Sequence, residues 1–177
     1  MVATDSFEIR VARPQDADAV TVLLEQSYSV LWAGAYPDDV LNAVLPLLTK
    51  ANPVLLSGGT FFVAADPVDG RLLGCGGWSM AAPGSGEIKP NLAHVRHFGT
   101  HPDETGRGIG RAILTRCFEQ AVAEGAERMS CQSSLTAVAF YRSCGFSEIG
   151  PVEINLPNGL SIESVLMSRE LQQPAGA

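Results

Sequence analysis

The residues with the most chemical content run from Phe98 to Arg111: Phe98-Gly99-Thr100-His101-Pro102-Asp103-Glu104-Thr105-Gly106-Arg107-Gly108-Ile109-Gly110-Arg111. Gly106, Gly108 and Gly110 alternate between a strand-like run and a helix-like run. Glycine permits positive φ and lets a ligand approach the backbone closely. The first amides of a helix lack partners within it and, helped by the helix dipole, make an anion site. Arg107 and Arg111 add positive charge beside that site. A pyrophosphate would therefore be held mainly by backbone donors. No Gly-x-x-x-x-Gly-Lys-Ser/Thr run occurs, which excludes a P-loop. Arg111 stands where the last glycine of Gly-x-Gly-x-x-Gly would fall, which excludes the dinucleotide fingerprint. By itself the turn could also be a tight strand-to-helix connection that binds nothing.

A second constellation follows: Ser134-Leu135-Thr136-Ala137-Val138-Ala139-Phe140-Tyr141-Arg142-Ser143-Cys144-Gly145-Phe146. Together the two stretches resemble the GNAT family of N-acetyltransferases. The family's glycine-rich signature ends in Gly-x-Gly, matched by Gly108-Ile109-Gly110. Its later helix carries Ala-x-x-Phe-Tyr and then Gly-Phe, matched by Ala137, Phe140, Tyr141, Gly145 and Phe146. Two positions depart from the pattern: Thr105 replaces the usual Gln or Arg, and Ser134 replaces an Asn that often contacts the cofactor.

The resemblance implies acetyl-CoA as acetyl donor and a primary amine as acceptor, on a small molecule or a protein. It implies that Phe98, Gly99 and Thr100 pair their backbone with the pantetheine arm. Gly106, Arg107, Gly108, Ile109, Gly110 and Arg111 would hold the phosphates, with Ser134, Ala137 and Tyr141 also against the cofactor. A backbone amide near Phe98 would stabilise the developing oxyanion, and Tyr141 would protonate the departing thiolate as general acid. Tyr141 as a core aromatic is the plainer reading of that residue without the flanking motif. Three alternatives stay open: an idle acetyl-CoA-binding regulatory module, another acyl-CoA donor, and a hydroxyl acceptor.

An amine must shed a proton before it attacks. A lysine-like ammonium, with a pKa near 10.4, is neutral in only about one molecule in a thousand at pH 7. His94 and His97 lie on the expected fourth strand, on opposite faces if it is regular, and either could titrate near neutrality. Glu87, in the preceding loop, is a third candidate base. By resemblance, acceptor recognition falls to the first two helices and the final hairpin. Trp32 and Tyr36, with Asp38 and Asp39, could line such a site and suit a cation, or could simply form a packed turn before a capped helix.

The elements that must position these groups are legible from periodicity. Phe7 to Val11 alternates like a strand, and Val20, Leu24, Tyr28 and Leu31 recur at helical spacing. A second helix is expected over Asp38 to Thr49. Thr60 to Ala65, Leu72 to Met80 and Leu92 to Thr100 read as strands, followed by a helix from Gly108 to Glu124. Met129 to Ser133 reads as a strand and Leu135 to Cys144 as a short helix. Ile149 to Leu156 and Leu160 to Ser168 flank Asn158-Gly159, a strong hairpin signal. The resulting expectation is a single α/β domain over 1–171 with a frayed tail over 172–177. By resemblance it has a mixed, mostly antiparallel central sheet, splayed between the fourth and fifth strands and flanked by helices.

Composition bounds the rest. With 46% hydrophobic and 18% charged residues the chain is folded rather than disordered. A formal charge of −7 argues against nonspecific nucleic-acid binding. No apolar run is long enough to cross a bilayer, and Met1 to Ser6 lack the basic and apolar stretches of a secretory signal. A cytoplasmic monomer or homodimer is expected. The four cysteines form no Cys-x-x-Cys pair, so neither a metal site nor a disulfide framework is expected.

Overall fold

A computed structural model describes residues 6–172. The strands are β1 (Glu8–Val11), β2 (Phe61–Ala65), β3 (Leu72–Ser79), β4 (Leu92–Thr100), β5 (Arg128–Ser133), β6 (Ser147–Asn155) and β7 (Ser161–Glu170). The α-helices are α1 (Ala17–Leu31), α2 (Asp38–Leu48), α3 (Pro53–Ser57), α4 (Ile109–Ala123) and α5 (Val138–Ser143). The strands form one sheet in the order β1-β2-β3-β4-β5-β7-β6. Every pairing is antiparallel except β4 with β5. No helix among the described residues is long and apolar enough to cross a membrane. Of the expected tail, residues 173–177 lie outside the described residues.

Two apolar layers sandwich the sheet, and strand periodicity decides which side chain joins which. Phe61, Val63 and Ala65 join Val20, Leu23, Leu24, Leu55 and Leu56 on the α1–α3 side. Phe62 and Ala64 point the other way, onto Ile109, Ile113, Leu114 and Cys117 of α4. With both faces covered, β2 is buried at all five positions, which explains its continuous apolar run. A third cluster packs Tyr36, Leu41 and Val44 against Ile162 of the final hairpin, with Trp32, Ile154 and Leu156 around it.

Helix α3 is absent from the sequence expectation. Its cap is nonetheless a standard one: Asn52 Oδ1 accepts from Val54 N at 3.0 Å and Leu55 N at 3.4 Å, and Pro53 occupies the first turn. At five residues it is too short to show a periodic stripe.

The glycines of β3 set how closely its neighbours approach. A Cβ on Gly74 would stand 2.5 Å from Ile109 Cγ2, so glycine lets the first residue of α4 rest on the sheet. A Cβ on Gly76 would overlap the Phe98 ring. Gly76→Ala therefore forces Phe98 to shift, and overpacking of this kind costs roughly 1–3 kcal/mol. The expected result is a melting temperature lower by several degrees, read by thermal denaturation, at roughly 2–4 °C per kcal/mol for a chain of this size.

Candidate active site

Strands β4 and β5 pair through only three positions: Leu92 with Arg128, Ala93 with Met129, and His94 with Ser130. Beyond them β5 continues along β7, through Cys131–Met167 to Ser133–Val165, while β4 stays with β3. The sheet therefore splits like a wedge. A cleft of about 1290 Å³ opens there, walled by Val95 to Thr100, the turn before α4, the start of α5 and the end of β6.

Backbone alternation exposes the inner edge of β4. His101 N donates to Leu73 O at 2.8 Å and Trp78 N to Thr60 O at 3.1 Å, so the odd-numbered residues of β3 face β4. Gly99 is then the partner of Cys75, and Phe98 and Thr100 turn their backbone toward the opened edge. His97 adopts φ 49, and the register shifts here, with Arg96 opposite Gly77 but Gly99 opposite Cys75. The extra residue is a β-bulge, which re-aims the strand. The strand is thus not regular, and His94 and His97 do not follow simple alternation. Tyr28 Oη donates to Phe98 O at 2.8 Å and fixes the bulge to α1. A Cβ on Gly99 would meet Leu24 at 2.8 Å, so glycine lets α1 lie close.

The glycine turn has two different parts. Gly106 and Gly108 have φ of +80 and +77, and a Cβ at either would meet nothing within 4 Å. Their requirement is conformational, and the space above them is open. Gly110 has ordinary φ but faces Phe140, where a Cβ would lie 3.1 Å from Cζ. It is a packing glycine that joins α4 to α5. Gly108 caps the fifteen-residue α4 without any side-chain hydrogen bond, which leaves the amides of Ile109, Gly110 and Arg111 directed outward.

The arginines are less available than their spacing suggests. Arg107 pairs with Glu104, which also binds Arg71 at 2.7 Å, and Arg107 lies off the cleft wall. Those two guanidinium groups hold the Glu104 carboxyl below its usual range. Arg111 stays on the wall while donating to Ser143 Oγ at 3.0 Å and Ser143 O at 3.2 Å. The Thr105 hydroxyl turns back to Pro102 O at 3.3 Å, and Ser134 Oγ lies 3.2 Å from Thr136 Oγ1. Ser134 and Ala137 both line the cleft.

Tyr141 is buried at the cleft wall with its ring among three others. Ring centroids of Phe140, Phe146 and Phe98 lie 5.1, 5.4 and 6.5 Å away, all edge-on. Burial, with smaller contributions from Cys131 and Tyr28, raises its phenol well above the ordinary value, so it stays protonated at neutral pH.

The three candidate bases separate clearly. His97 is on the cleft wall, where burial and the Arg96 cation depress it to about 4, leaving a neutral imidazole at pH 7. His94 lies off the wall with Nε2 enclosed and unpartnered; burial, then Arg96 and Lys89, lower it as well. Glu87 is exposed in its loop, 3.8 Å from Lys89, and is also off the wall.

The acceptor-side aromatics divide similarly. Trp32 lines the cleft and stacks on Tyr28, centroids 4.3 Å apart at 13°. Tyr36 is buried off the wall, donating to Glu163 O at 2.8 Å and accepting from Leu135 N at 2.9 Å. Its hydroxyl ties the final hairpin to the loop before α5. Asp38 and Asp39 are exposed and off the wall. Tyr28, Arg96 and Glu153 are among the wall residues that sequence reasoning missed. Tyr28 lies four residues before Trp32 on one helix face, a spacing that marks contact; the other two gave no comparable signal.

A sheet split beside a helix start with outward-directed amides has room for an extended, phosphate-bearing ligand. The profile of the Acetyltransferase (GNAT) family matches residues 18–146, and the chain belongs to that family. It is an acyltransferase, and acetyl-CoA is the family's usual co-substrate. An IAA acetyltransferase of Azospirillum brasilense is 32% identical over 149 residues, covering 82% of this chain and 88% of that protein. A GCN5-related N-acetyltransferase from Rhodopseudomonas palustris superposes with a TM-score of 0.74 at 19% identity, over 97% of this chain and 99% of that one. PaiA N-acetyltransferase from Thermoplasma acidophilum, in complex with coenzyme A, gives 0.68 at 18% identity, over 93% and 99%. At these identities the structures speak for the fold.

Proposed function

We propose that this chain transfers the acetyl group of acetyl-CoA to a primary amine by direct attack on the thioester. The observation that carries the reading is the convergence in one cleft of an open glycine cradle, a free strand edge and the Tyr141 phenol. The amides at the start of α4 suit the pyrophosphate, since a Cβ at Gly106 or Gly108 would project into otherwise open space. The backbone of Phe98 and Thr100 offers the amide-rich pantetheine arm a strand-like partner. Acetyl-CoA would thus supply an activated acetyl group, and the chain supplies position.

In the reaction a C–N bond forms at the acetyl carbon and the C–S bond breaks. The Phe98 amide meets the charge that gathers on the carbonyl oxygen. The Tyr141 phenol gives its proton to the departing sulfur. A raised phenol pKa is compatible with this transfer, because the same burial raises the affinity of a thiolate for a proton. The amine's own proton leaves through the open side of the cleft, by water or the neutral His97.

Incubation with acetyl-CoA and a broad set of amines, each beside its hydroxyl analogue, tests the reading. Free thiol should appear with amines, and mass spectrometry should find the acetyl group on nitrogen. Thiol release with the hydroxyl analogues alone would sink the amine assignment.

A further inference from the structure

Arg96 stands out on the cleft wall because no carboxylate among the described residues forms an ion pair with it. It donates to Ser79 Oγ at 2.9 Å. Its other four N–H donors have no protein acceptor among the described residues, and no ion pair includes it. An unpaired guanidinium in a half-enclosed site is costly unless something anionic joins it.

Its place on β4 sets it apart from the phosphate cradle. Arg96 precedes Thr100 by four strand residues, at most about 13 Å along the bulged β4, and the cradle lies beyond Thr100. It precedes Phe98 by two residues, at most about 7 Å because His97 bulges between them, on the side of the bulge away from the cradle. A group bound at Arg96 therefore lies a short link from the reacting carbonyl. Trp32, Leu48, Ile154 and Leu156 line the same cleft and belong to one apolar cluster. Glu153 lines the same cleft.

We infer that Arg96 anchors a carboxylate of the acceptor, and that the acceptor class is an amino acid with an apolar side chain, acetylated on its α-amino group. This rests on the N-acetyl transfer proposed above. An α-amino acid places its amine one carbon from the carboxylate, the short link the strand geometry requires. Its side chain would meet the Trp32 cluster.

The test uses acetyl-CoA with leucine, methionine, phenylalanine and tryptophan, each as the free acid and as the amide, reading thiol release. At least one acid should exceed its amide by tenfold or more in kcat/KM. Arg96→Gln should raise KM for that acid by roughly 10–100-fold, the range for a charge-assisted bidentate contact, while kcat changes little. The acid-over-amide preference should vanish with it, and Arg96→Lys should keep part. Equal use of acid and amide by the unmodified protein overturns the inference, as does an equal loss for both in Arg96→Gln. Should Arg96→Gln not fold, the acid–amide comparison in the unmodified protein decides alone. If other amines are acetylated and none of the four acids is, the inference falls while N-acetyl transfer stands; if no amine accepts, both fall.

Discussion

Replacing Tyr141 by Phe should leave acetyl-CoA binding near that of the unmodified protein and lower single-turnover acetyl transfer by about 10²–10⁴-fold, the usual contribution of a positioned general acid. The ring is what the fold uses. It packs edge-on against Phe98, Phe140 and Phe146, and phenylalanine keeps all three contacts. What disappears is one hydroxyl, which donates no hydrogen bond to the described residues, so no buried acceptor is orphaned. Loss of stability is therefore small, and a fall in rate reports chemistry. Steady-state turnover can hide the effect where product release is slow, which is why single turnover is the measurement. Unchanged single-turnover chemistry in the folded variant removes Tyr141 from the reaction.

The same residue shows how far the sequence could be read. The order of strands and helices is legible, because period-2 and period-3.6 patterns follow directly from which faces are buried. Leu92–Thr100 is bounded in the structure as the pattern indicates. The glycine turn and the Ala-x-x-Phe-Tyr helix are local in sequence, so their likeness to a family could be recognised residue by residue. What sequence could not show is which charges remain available. Arg107 looks like a phosphate ligand until Glu104, drawn by Arg71, is seen beside it. Tyr36 looks like a recognition aromatic until its hydroxyl is found between Leu135 N and Glu163 O, partners 99 and 127 residues away. Arg96 is one residue of an ordinary strand until the sheet opens beside it. Each outcome depends on long-range placement, and the bulge at His97 has no local signature, since a histidine at φ 49 looks like any other strand residue in sequence.

The cradle makes the other large prediction. Acetyl-CoA at a hundredfold excess over its Kd should stabilise the native state by about 2.7 kcal/mol, since the unfolded chain has no cradle. For a chain of this size that is a rise of roughly 5–11 °C in melting temperature. Acetyl-pantetheine, which lacks the nucleotide and pyrophosphate, can still pair with the edge of β4 but leaves the start of α4 empty, and should give much less. Gly108→Val tests the same contact from the protein side. Its branched side chain would enter space that nothing in the chain occupies, so the obstruction falls on the ligand's phosphates. The residue must also hold φ near +77, which for a non-glycine costs about 1–2 kcal/mol. The variant should thus melt a few degrees lower on its own and show no further rise with acetyl-CoA. Equal stabilisation of the unmodified protein by acetyl-CoA and acetyl-pantetheine would place the phosphates outside the turn. A full acetyl-CoA shift in folded Gly108→Val would do the same, because a cradle formed by these amides cannot accept the side chain and the pyrophosphate together.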